Sequence, residues 1–109
     1  MSDAFNSREK GFESKYQLDQ EQQFRAQARR DKLFGQWAAS KLGHTGAAAA
    51  AYAAEVVDSN FEKPGDDDML DKVKADFQAK GINVAAEDFA KALLDSYAAA
   101  AQQIAAETK

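Results

Sequence analysis

At 109 residues, with 45% hydrophobic residues and no cysteine, the chain has the material for one small domain but none for a disulfide or a thiolate site. A net charge of −4 argues against a dedicated nucleic-acid binder, and a single histidine excludes a multi-histidine metal site. The opening MSDAFNSREK lacks the apolar core of a signal peptide, and the alanine-rich run from 47 to 54 falls short of a membrane span and meets Glu55. No direct membrane insertion is expected, and the cytoplasm is the default compartment.

Residues 1–19 have a pattern of their own. On a helical wheel Phe5, Phe12 and Tyr16 lie within about 40° of one another. Charges of both signs surround them: Asp3, Arg8, Glu9, Lys10, Glu13, Lys15 and Asp19. Gly11 in the middle costs a helix about 1 kcal/mol relative to alanine. Gln20 to Gln23 follow, with Gln23 where the stripe should continue, and the next stripe, from Phe24, is rotated by about 100°. One reading is a frayed, solvated start to the first helix. The other is an arm, mobile in the free protein, that folds onto a partner.

The first helix is expected from about Asp19 to Leu42. Phe24, Ala28, Gly35, Ala38 and Leu42 fall on one narrow face, and Leu33, Phe34 and Trp37 on another side. A helix apolar on more than one side is surrounded, so Trp37 is expected to be buried or largely so. Gly43 suits the left-handed position that closes a helix, and Thr45 can cap the next. The second helix, about 46–61, carries Tyr52, Val56, Val57 and Phe61, with alanines that let a neighbour approach closely. Pro64-Gly65 breaks the chain. Asp66, Asp67 and Asp68 open a third helix, about 67–80, with Met69, Leu70, Val73 and Phe77. Gly81 and Ile82 close it. Asn83 can cap a fourth helix, about 84–105, whose face is Phe89, Leu93, Tyr97, Ala100 and Ile104. No segment alternates with period two. The expected fold is all-α, a four-helix bundle over 20–109 preceded by a mobile arm, 1–19.

Few residues suggest chemistry. The triple acid lacks the glycine and glutamate spacing of an EF-hand, since Asp71 and Phe77 stand at those places; capping a helix is the simpler role. His44, after a helix-ending glycine, suits free carbonyls. No serine has a recognisable His and acid arrangement, and no phosphate-binding GxxxxGK[ST] loop occurs, so an enzyme is not expected. The basic cluster is more suggestive. Arg25, Arg29 and Lys32 form one row; Arg30 and Lys41 form another, with Trp37 between them on the wheel. These rows suit either a phosphate, with ATP or ADP as ligand and Trp37 near the base, or acids of the same chain.

The run Arg8-Glu9-Lys10-x-Phe12-Glu13-x-Lys15-Tyr16, with Asp19, Glu21, Phe24-Arg25, Ala28-Arg29-Arg30, Lys32-Leu33, Gly35, Trp37-Ala38-Ala39 and Leu42-Gly43, resembles the zeta subunit family. Members are inhibitors of the F-type ATP synthase in alphaproteobacteria. Tyr52, Glu55-Val56-Val57, Phe61, Pro64-Gly65-Asp66, Lys72-Val73 and Asp76 continue the likeness. The resemblance implies a four-helix bundle whose N-terminal arm blocks rotation of the catalytic head. The partners it implies are the alpha, beta and gamma subunits, with the chain peripheral to the inner membrane through the synthase, monomeric when free, and needing no cofactor. The arm contacts would be Phe5, Arg8, Glu9, Lys10, Phe12, Glu13, Lys15 and Tyr16. Gln20, Gln22 and Gln23 stand where the family usually has acids. An adenine-nucleotide-binding regulatory module and a general helical adaptor are the alternatives.

Overall fold

A capping box starts the first helix, α1 (Gln20–Lys41). Asp19 accepts from the Gln22 N–H at 2.8 Å, and the Asp19 N–H donates to the Gln22 side chain at 2.9 Å. The computed structural model describes residues 18–60 and 65–107. Phe5, Arg8, Glu9, Lys10, Phe12, Glu13, Lys15 and Tyr16 therefore lie outside the described residues, as does Phe61.

Gly43, at φ +87°, closes α1 with paired bonds: His44 N–H to the Ala39 carbonyl at 2.9 Å and Gly43 N–H to Ser40 at 3.1 Å. α2 (Gly46–Ser59) begins after Thr45, whose side chain makes no cap bond; only its carbonyl accepts, from Ala48 and Ala49. α3 (Asp67–Ala79) begins after Asp66, whose carboxylate likewise makes no cap bond because it is turned toward Arg30 and Asn60. α3 ends as α1 does, with Ile82 N–H reaching the Phe77 carbonyl and Gly81 N–H reaching Gln78. α4 (Ala86–Glu107) starts beyond Asn83, so the expected cap is corrected; the Ala85 carbonyl accepts from Asp88 and Phe89 instead. Four helices and no strand occur among the described residues.

α1 packs against both α2 and α4, and α3 lies against α2. Phe34, Val56, Met69, Val73 and Phe77 are fully buried between them. Such residues each contribute about 1.5–3 kcal/mol by leaving water. The close approach expected of the alanines occurs at Gly35, where an added Cβ would lie 2.9 Å from the Ala53 Cα.

Trp37 is largely buried, as expected, and packs against the core with part of its ring exposed. Its ring packs on Phe34 at 5.5 Å, Phe89 at 5.8 Å and Phe77 at 5.9 Å, while it also lines an open cleft. Two sequence expectations need correction. Phe24 is 67% exposed rather than on the packing face. It shares a side of α1 with Gly35, but α2 ends at Ser59, opposite Asp31, and leaves the turn at Phe24 uncovered. Ala26 is the buried residue there. The expected phase break at Gln23 also goes: buried Ala26, Phe34 and Ala38 lie within about 60° of Gln23 on the wheel. Gln23 is half-buried, and its amide donates to the Leu18 carbonyl at 3.0 Å.

Leu18 precedes the cap and is itself buried, in a small cluster with Ala26, Ala101 and Ile104. Tyr97 and Ala105 pack around this cluster. The residue sits inside the stretch expected to form the arm, yet it is seated on the bundle.

Candidate functional site

The basic cluster does not converge. Arg30 points inward, its side chain 12% exposed, and donates from Nε to Asp31 Oδ1 at 2.9 Å and from Nη2 to Asp66 Oδ1 at 2.7 Å. Asn60 Nδ2 donates to Asp31 Oδ2 at 2.8 Å and to Asp66 at 3.2 Å. Together these groups tie α1 to the end of α2 and the start of α3. A charge such as Asp31, only 5% exposed, survives burial because both its oxygens accept strong donors. Asn60 Oδ1 is buried with no partner among the described residues, at a cost of about 1–3 kcal/mol carried by the network.

Arg29 points to the other flank. It grips Glu107 of α4 with both terminal nitrogens, at 2.8 and 3.1 Å, and also donates to Gln103 at 2.8 Å. The hydrogen bond to Glu107 raises the Arg29 guanidinium from its ordinary value, and the same bond lowers the Glu107 carboxyl. Arg25 and Lys32 are exposed. Of the four candidate anion contacts, then, two are held by carboxylates of this chain and two face solvent.

A second polar group joins α2 to α3. Tyr52 donates to Asp76 at 2.7 Å, and Lys72 reaches Asp76 at 3.1 Å and Glu55 at 3.3 Å. Burial and then the Asp76 bond push the Tyr52 phenol up. Burial alone would lower Lys72; the bonds from Asp76 and Glu55 outweigh it, and the ammonium is raised. The His44 ring lies 5.6 Å from the Tyr52 ring, which is the place the structure gives it.

The cleft beside Trp37 holds about 430 Å³ and is lined also by Lys41, Asn83, Asp88, Lys91 and Asp95. Lys91 is already bonded to Asp95 at 2.8 Å. Arg25, Arg29, Arg30 and Lys32 do not line it. No group of His, Asp and Glu that could hold a metal occurs among the described residues.

Two elements escaped the sequence reading. Asp31 is one; an acid on the face of Gly35, Ala38 and Leu42 was the available signal. The Leu18–Asp19–Gln22–Gln23 junction is the other. The glutamines that seemed to interrupt a stripe complete the cap and bond the chain before it.

An all-α four-helix bundle whose inner charges are paired within the chain is the class that this fold and site define. The chain belongs to the ATPase inhibitor subunit zeta family, whose profile matches residues 1–103. The match spans both the N-terminal segment and nearly all of the bundle. A search of curated proteins returned no match. By family the chain is an ATPase inhibitor subunit. Among the described residues, no helix is long and apolar enough to cross a membrane.

Proposed function

We propose that the chain inhibits an F-type ATP synthase by inserting its N-terminal segment, as a helix, into the catalytic interface of the head, where it blocks rotation during ATP hydrolysis. The observation that carries this reading is the family match over residues 1–103, which takes in the N-terminal segment as well as the bundle. Phe5, Phe12 and Tyr16 supply apolar burial against the alpha, beta and gamma subunits. Arg8, Glu9, Lys10, Glu13 and Lys15 fix register by pairing. The block is steric, so no bond is made or broken and no cofactor is required. The chain is a monomer in the cytoplasm that becomes peripheral to the inner membrane when it binds the synthase.

The nucleotide-module alternative is the weaker one, because Arg29 and Arg30 already hold carboxylates. The general adaptor is disfavoured by the family assignment. The test is ATP hydrolysis by the purified catalytic head, with the whole chain and with a chain lacking residues 1–17. The truncated chain should fold and fail to inhibit. Replacing Phe5 and Phe12 together with serine should weaken inhibition about tenfold or more. Full inhibition by the truncated chain would sink the proposal.

A further inference from the structure

The capped start of α1 is incompatible with a longer helix. In the structure the helix stops at Gln20 because Asp19 is extended, at φ −78° and ψ 179°, and caps it. Leu18 is then buried with Ala26, Ala101 and Ile104, and its carbonyl is held by the Gln23 amide. Were α1 to run on toward the N-terminus, Asp19 ψ would have to turn to about −42°. Both bonds of the capping box would break. Leu18, eight residues before Ala26, would move to about 12 Å from it along the axis at 1.5 Å per residue. A continuous helix therefore cannot keep Leu18 in its seat.

We propose that Leu18 and Asp19 form a latch: it holds α1 closed at Gln20 in the free chain and is released when the chain engages the ATPase. This rests on the reading that the segment before Leu18 enters the head as a helix. The partner then binds the unlatched form, and the latch lowers apparent potency by the fraction of chains unlatched. The latch is separate from the wedge, because among the described residues Leu18 and Asp19 contact their own bundle in the closed form. They are positioning residues for inhibition.

The experiment uses the full chain with Asp19→Ala, Leu18→Ser and Asp19→Asn, the last retaining a cap-forming side chain. Backbone carbon shifts of residues 18–22 in the free chain report where the helix starts. The concentration giving half inhibition of ATP hydrolysis reports potency. Asp19→Ala should move the shifts at 18 and 19 toward helical values. Asp19→Ala and Leu18→Ser should each lower the half-inhibiting concentration about threefold or more. Asp19→Asn should behave as the native chain on both counts. If Asp19→Ala leaves the helix start unmoved, or if it and Leu18→Ser inhibit no better than the native chain, the junction is an ordinary helix cap and the latch is overturned. A chain lacking residues 1–17 serves as the control. If it inhibits fully, the reading of the N-terminal segment has failed and the latch fails with it; if it does not inhibit, a negative result belongs to the latch alone.

Discussion

Gly35 of α1 lies against Ala53 of α2 with no room for a side chain: an added Cβ would stand 2.9 Å from the Ala53 Cα and 3.2 Å from its carbonyl oxygen. Backbone at that distance cannot swing aside as a flexible side chain would. Alanine normally improves a helix interior by about 1 kcal/mol over glycine. Overpacking costs about 1–3 kcal/mol. Gly35→Ala should therefore destabilise the bundle by up to about 2 kcal/mol in a denaturant titration. A gain in stability would show that α1 and α2 separate freely.

Arg30→Ala should cost much more than Arg29→Ala. Removing Arg30 leaves Asp31 buried with, among the described residues, only Asn60 to donate to it. Breaking a buried pair costs roughly 3 kcal/mol. Arg29 and Glu107 sit at the surface, where solvent already screens them. Urea unfolding of both variants checks the order, and equal losses would refute it.

Trp37→Ala should cost about 3 kcal/mol, at the low end for a large aromatic, because the ring is partly exposed yet touches three phenylalanines. Calorimetry of the variant measures the loss. A loss below about 1 kcal/mol would mean that the ring covers the cleft without holding the core.

The Arg29–Glu107 pair should show in the acid range. Glu107 is held below its ordinary value of 4.5 by the Arg29 bond. A depressed carboxylate contributes its stability in full above the unfolded value and loses it as pH falls through the folded one. The stability gap between the native chain and Arg29→Gln should thus be present at neutral pH and close below about pH 4.5. In a carbon-detected titration the Glu107 midpoint should lie below 4.5 natively and return toward it in Arg29→Gln.

The helices were legible because glycines and apolar spacing punctuate this chain clearly. Gly43 and Gly81 end their helices as their context suggested, and all four helices lie within about two residues of expectation. What a wheel cannot give is where the neighbouring helix stops. Phe24 has the right angle to be buried, but α2 does not extend far enough to cover it. Asp31 was hidden for a related reason. Charged residues read as surface, and its distant partner, Asn60, lies 29 residues away in sequence. The basic rows were visible as rows, but the acids that hold Arg29 and Arg30 come from opposite flanks of α1. The arm residues lie outside the described structure, so the resemblance and the family match carry that part of the reading.

The seat of Leu18 is assembled from both ends of the chain. Ala26 is present early, but Ala101 and Ile104 arrive only with the last helix. During synthesis those residues leave the ribosome some 80 residues after Leu18. α1 and α2 form a local hairpin that can close first, whereas docking α4 must close a loop of about 75 residues, an entropic cost that grows slowly with length but comes late. A nascent or C-terminally clipped chain therefore has no seat for Leu18, and the junction at Asp19 reports on the completeness of a helix some 80 residues away in sequence.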